Sequence, residues 1–290
     1  VGLDDYRAFL RTSRLAETTQ QTYGFYIGEF LTWAGEQQRG LADLSACDVL
    51  DWIDEHPGWS SSTRYSAATA VRSFYTWQYG EAHDVSRFAR VRRLPSGPQR
   101  SLDWDQLDAV MDSFDLDKPK GVRDRAMIAL LVDTGLREAE ICRADLRHWD
   151  RRKRKIDVVI KGEIWGVAEY FDRTASYLSA WMELRDAFAL SKTKTIFVST
   201  NGKTKGAALT PGGLRAVFRK IGERAELEEG FSPHDCRRTF ATLASLAGAP
   251  AQVIQRAGRW SSIEMVERYT RNLKPSDLKP FSPMDNLDKN

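Results

Sequence analysis

The chain has 290 residues, enough for two domains of the usual ~100 to 200 residues each, so a hydrophobic core needs no disulfide or metal support. With 43 Lys and Arg against 40 Asp and Glu the formal charge is +3, which excludes bulk basicity as a source of nucleic-acid affinity and leaves local patches to supply it. A charged fraction of 29% beside 42% hydrophobic residues excludes a disordered polyelectrolyte, and no run approaches the ~18 apolar residues of a membrane span, so a cytoplasmic protein with no membrane partner is expected.

Helix-period apolar residues open the chain: Leu3, Tyr6, Phe9 and Leu10, then, after the capping-type pair Thr18-Thr19, Tyr23, Tyr26, Phe30 and Trp33. A third helix spans roughly Ala46 to Glu55, and a fourth follows Ser60-Ser61-Ser62 through Tyr65, Ala68, Val71, Phe74 and Tyr75. These four make an N-terminal helical bundle over residues 1–94. The next stretch carries Arg87, Arg90, Arg92, Arg93 and Arg100 without an acidic residue between them, around the breaker Leu94-Pro95-Ser96-Gly97-Pro98, and residues 95–100 read as a linker.

Residues 101–290 form the second domain. An apolar helix through Ala126–Val132 ends at Gly135, and another starts near Glu138. Ile156–Ile160 and Val167–Phe171 read as an antiparallel hairpin, with Ile196-Phe197-Val198 as a possible third strand. Helices resume from Gly213. The expected class is mainly α: a helical bundle plus a mostly helical α+β domain with a small antiparallel sheet.

The usual cofactor signatures are missing. Cys47, Cys142 and Cys236 are widely separated, and none of the histidines (His56, His83, His148, His234) has ligand spacing, so no metal site is expected. Gly202-Lys203-Thr204 lacks the first glycine of a phosphate loop and reads as a turn, and no G-x-G-x-x-G or G-x-S-x-G occurs. No cofactor is predicted. The run Arg151-Arg152-Lys153-Arg154-Lys155 is either a solvated turn or a phosphate-contacting patch.

Five pieces of the second domain stand in a distinctive order. They are Thr134-Gly135-Leu136-Arg137-Glu138-Ala139-Glu140, a hairpin lysine at Lys161, His234-Asp235-Cys236-Arg237 followed by Arg238-Thr239-Phe240-Ala241-Thr242, Gly258-Arg259-Trp260, and Tyr269 nine positions after Trp260. Together they resemble the tyrosine recombinases of phage integrases and chromosome-dimer resolvases, through T-G-L-R-x-x-E, H-x-x-R, R-T-F-A-T and the spaced tyrosine. The departures are Trp260, where most integrases have histidine, and Arg259 in place of the usual glycine.

The resemblance covers essentially the whole chain and implies a core-DNA-binding bundle, a catalytic domain and a simple integrase without an arm-binding domain. It implies double-stranded DNA as substrate, a homotetramer on a Holliday junction, and a possible accessory DNA-bending or directionality protein. The segment Leu273–Phe281 is expected to dock on a neighbouring protomer. Tyr269 would be the nucleophile, storing the phosphodiester energy in a 3′-phosphotyrosyl bond; alone, it would be read as a core aromatic sharing a helix face with Met265.

Arg137 and Arg237 would grip the non-bridging oxygens, a task suited to planar guanidiniums, although either could instead cap a helix or pair with an acid. His234 shares a helix face with Arg237 and would shuttle a proton. Lys161 would protonate the departing 5′ oxygen, with Lys155 as its substitute if the hairpin register differs. Trp260 would donate its indole N–H to phosphate or pack beneath the helix of the nucleophile, and Glu140 would buttress without reacting. Arg238 points about 100° away from Arg237 and joins Arg87, Arg90, Arg92, Arg93, Arg100, Arg151 and Arg152 as an expected DNA contact. The reading is a site-specific recombinase for integration or excision of a mobile element. The alternatives are dimer resolution or relaxation in the manner of a type IB topoisomerase, and, behind these, a non-catalytic DNA-binding module, against which the filled catalytic positions argue.

Overall fold

A computed structural model describes residues 2–94, 100–160 and 164–270, the last three of these by their backbone alone. The chain divides into two compact units, Val1–Gly97 and Pro98–Asn290.

The first unit consists of α1 (Leu3–Thr12), α2 (Glu17–Glu36), α3 (Ala46–Asp54), α4 (Ser61–Tyr79) and the short α5 (Asp84–Phe88). Apolar residues three and four apart bury one stripe of each long helix, with Tyr6 and Leu10, Ile27 and Phe30, Val49 and Ile53, and Val71 and Phe74 meeting in one core. Ser45 and Ser60 cap α3 and α4 by accepting from the N–H groups of Asp48 and Thr63. Helix α2 departs from expectation. Its first turn closes on the Ala16 carbonyl, to which Thr19 and Gln20 both donate, so Thr18 and Thr19 lie inside the helix rather than at its cap.

The second unit contains α6 (Trp104–Asp112), α7 (Pro119–Thr134), α8 (Glu138–Arg143), β1 (Trp149–Asp150), β2 (Lys155–Val159), β3 (Trp165–Glu169), α9 (Asp172–Arg185), α10 (Pro211–Arg224), α11 (Pro233–Leu246), α12 (Ala251–Ala257) and α13 (Glu264–Thr270). Helix α7 runs through the centre, buried nearly all round, with Met127, Ile128, Leu130 and Leu131 fully buried, the Arg123–Asp124 ion pair enclosed, and α9 and α11 packed against it. The sheet has antiparallel order β1-β2-β3, with Lys155 opposite Glu169 and Val159 opposite Trp165. Ile156, Val158 and Ala168 face the core while Lys155, Asp157, Val167 and Glu169 face outward, the period-two alternation of a half-buried sheet.

Ile196-Phe197-Val198 does not join this sheet; Trp149-Asp150 supplies the third strand. All three side chains of the run are buried. Its backbone is satisfied elsewhere: the Trp181 indole donates to the Ile196 carbonyl, and the Ile196 N–H donates to the Ala144 carbonyl. A smaller cluster of Phe240, Ala241, Ile254, Trp260 and Val266 binds α11, α12 and α13 together. Among the described residues no helix is long and apolar enough to cross a membrane.

Candidate active site

The chain leaves α7 through Gly135, whose φ of +58° is in the left-handed region; a Cβ there would also lie 2.6 Å from the Phe240 ring. Leu136 is fully buried and anchors the loop, and Arg137 follows at the N-cap of α8 with its side chain 38% exposed. Glu140, only 3% exposed, accepts from the Arg137 backbone N–H at 2.9 Å and from its Nη1 at 2.7 Å. One carboxylate therefore fixes both the backbone and the guanidinium of Arg137.

Helix α11 starts with Pro233 in its first turn, and the backbone N–H and hydroxyl of Ser232 both donate to the Asp235 carboxylate. The other oxygen of Asp235 accepts from Arg238 at 3.1 Å, which turns Arg238 back toward its own helix start. One turn along, the Arg237 guanidinium is buried. It donates to the carbonyls of Gly135 and, at 2.7 Å, Gly258, and its Cζ lies 4.2 Å from the centroid of the Trp260 ring. Gly135 and Gly258 stand at the C-terminal ends of α7 and α12, where helix dipoles favour a cation.

His234 is exposed at the mouth of this arrangement, within electrostatic range of Arg137, Arg237 and Arg238. Partial desolvation, then the cations of Arg238 and Arg237, hold its imidazole below the usual histidine value, which favours the neutral ring, the form that can accept a proton. Trp260 is 5% exposed, with its ring stacked on Phe240 at 6.0 Å and packed in the cluster that includes Val266 of α13. Tyr269 belongs to α13, but its side chain lies outside the described residues, as do Lys161 and the segment Leu273–Phe281. Arg137, Arg237, His234 and Trp260 thus converge on the ends of α7 and α12.

Lys155 is placed at the start of β2, at the opposite end of the β2–β3 pair from Val159 and Trp165, with Nζ 2.5 Å from the Glu169 carboxylate. The Arg151-to-Lys155 turn occupies that same end. Arg151 and Arg152 are exposed there, the former with Cζ 4.5 Å from the Trp149 ring centroid, while Arg154 pairs with Asp172. Arg87, Arg90, Arg92 and Arg93 are exposed on the first unit. Arg100 is turned inward: only 17% exposed, it donates to the Gly230 carbonyl and lies 3.9 Å from the Glu229 carboxylate. A partner 130 residues away leaves no mark in the local basic run from which Arg100 was grouped with the others.

In the sequence Arg259 stands out only as a departure from glycine. Its backbone has φ +55°, and its side chain is 5% exposed. The guanidinium donates to the carbonyls of Ala257 (2.7 Å), Thr134 (3.1 Å) and Val167 (3.3 Å), and lies 3.5 Å from Glu140 Oε2. The one signal available in the sequence was a long charged side chain where the resemblance expects glycine.

Chemically, two guanidiniums and a neutral imidazole gathered at helix ends suit a tetrahedral anion and a proton transfer. The model of the phage integrase family matches residues 100–275. Tyrosine recombinase XerC of Shigella flexneri serotype 5b (strain 8401) is 24% identical over 277 residues, covering 92% of this chain and 90% of that relative. The post-cleavage complex of XerH site-specific recombinase bound to a palindromic difH substrate has a similar fold, with TM-score 0.74 and 19% identity over 93% of this chain and 80% of that one. A lambda integrase dimer bound to a COC′ core site gives TM-score 0.73 and 15% identity over 94% and 77% of the two chains.

Proposed function

The chain belongs to the phage integrase family and is a tyrosine recombinase, an enzyme of site-specific DNA recombination, and from that premise we propose that Tyr269 is its nucleophile and that Arg137, Arg237, His234 and Lys161 serve the phosphate it attacks. The tyrosyl oxygen bonds to phosphorus as the bond from phosphorus to the 5′ oxygen breaks. The phenolic proton goes to the neutral His234, and Lys161 gives a proton to the departing 5′ oxygen. Arg137 and Arg237 offset the charge that grows on the non-bridging oxygens. Trp260 keeps α13 in register by packing rather than by chemistry, and Glu140 holds Arg137.

The observation that carries this reading is the convergence of Arg137, Arg237 and His234 around the loop that ends α7, with α13 tied to the same place through Trp260 and Val266. The 5′ hydroxyl released by cleavage then attacks a partner strand, giving a Holliday junction within a homotetramer. Residues 1–94 form the core-DNA-binding domain, and 101–290 the catalytic domain. The exposed arginines of the core-DNA-binding domain, Arg87, Arg90, Arg92 and Arg93, meet backbone phosphates, as do Arg151 and Arg152 of the catalytic domain.

The test incubates the protein and Tyr269→Phe with a library of nicked duplexes, then denatures and sequences the DNA that stays attached. An adduct with the wild type alone supports the reading, and the captured sequence gives the core site. Adducts with both proteins, or with neither, refute Tyr269 as nucleophile. Recombination between two captured sites separates an integrase, our reading, from an enzyme that only relaxes supercoils.

A further inference from the structure

We propose that Arg259 is a positioning residue for strand cleavage, holding Glu140 so that the Arg137 guanidinium keeps its charge directed at the phosphate; this rests on the clamp assigned above to Arg137. Three features mark Arg259 as more than filler. Its backbone occupies the left-handed region, which a side chain disfavours. Its guanidinium is buried, with Nε lacking a hydrogen-bond partner among the described residues, a state that is costly unless the remaining contacts compensate. Finally, the side chain passes β3 at Gly166, where a Cβ would lie 2.9 Å from Arg259 Cδ, so the strand has no room for a larger residue along this route.

What the guanidinium reaches explains the arrangement. It joins the end of α7 at Thr134, strand β3 at Val167 and the end of α12 at Ala257, the segments that lead to Arg137, to the Lys161 hairpin and to Trp260. It also approaches the Glu140 oxygen that accepts from the Arg137 backbone. With Arg259 present, one buried carboxylate is shared between two guanidiniums. Without it, the whole carboxylate charge falls on Arg137, which loses part of its pull on a phosphate. The planar fork serves several acceptors at once, which a lysine ammonium on the same stem cannot match.

The experiment uses full-length Arg259→Gly, which relieves the backbone, and Arg259→Lys, with thermal melting as the check on folding. Single-turnover cleavage is measured on the nicked core duplex captured through Tyr269 and on the same duplex with a neutral methylphosphonate at the scissile position. Arg137→Ala runs alongside. Arg259→Gly is expected to bind DNA as the wild type does, to cleave the charged substrate about 10- to 100-fold more slowly, and to regain most of that loss on the methylphosphonate, with Arg259→Lys between the two.

Wild-type rates in Arg259→Gly overturn the proposal. So does an equal loss on both substrates while Arg137→Ala remains selective for the charged one, since that pattern is a general structural defect. If Arg137→Ala itself slows both substrates equally, the clamp is wrong and the role of Arg259 falls with it. Failure to capture any duplex counts against the recombinase chemistry and removes both.

Discussion

Replacing Arg237 with lysine separates its structural work from its chemistry. The guanidinium donates to two carbonyls at helix ends and lies over the Trp260 ring, all in a buried setting. Each charge-assisted bond contributes about 1.5–3 kcal/mol and the cation–π contact about 0.5–2 kcal/mol. A lysine ammonium can meet one carbonyl and leaves the other buried without a donor. The expected loss is therefore about 2–5 kcal/mol for the second unit, a large part of the ~5–15 kcal/mol that a domain has to lose. Urea unfolding followed by hydrogen exchange in α11 reads this unit specifically. Exchange in α1 to α4, which belong to the other compact unit, should not change. A loss below about 1 kcal/mol would refute the view that this side chain joins α7 to α12.

Other perturbations probe the same site from different sides. Gly135→Ala should destabilise the second unit by more than the ~1 kcal/mol of a left-handed alanine, since its Cβ would also meet Phe240 at 2.6 Å; a melting temperature equal to the wild type contradicts this. The histidine value of His234 is depressed, so protons bind the unfolded chain first, and its stabilising contribution fades as pH falls below the ordinary histidine value toward the folded one. His234→Gln should flatten that part of the stability curve, and superimposable curves for the two proteins would count against it. Alanine at Arg92 or Arg93 should lower the salt slope of DNA affinity by about 1, whereas alanine at Arg100, turned inward, should leave it unchanged. Equal effects at all three positions would refute the distinction.

Much of the fold was legible because it depends on neighbours in sequence. The spacing of Tyr6 and Leu10, the serine start at Ser60 and the stop at Gly135 are short-range signals, and helices form where they indicate. The alternation in Ile156–Val159 likewise gave the hairpin. Ile196-Phe197-Val198 misled because a three-residue apolar run looks the same whether it pairs with a strand or, as here, gives its carbonyl to a tryptophan on α9. Within the site, residue identity and order pointed to Arg137, Glu140, His234 and Arg237, and the Arg137–Glu140 pair is local as well, three residues apart. Arg259 and Arg100 were not legible in the same way. Their partners, Glu140 and Gly230, are remote in sequence and are brought close only by tertiary packing.

The most direct measurement digests the trapped wild-type adduct with trypsin and nuclease and locates the nucleotide by mass spectrometry. The expected product is a 3′-nucleotidyl phosphate on the phenolic oxygen of Tyr269, in the peptide Tyr269-Thr270-Arg271, with a free 5′ hydroxyl on the released strand. Attachment to any other side chain, or through a 5′ phosphate, would contradict the assignment of Tyr269 and of the cleavage chemistry built around it.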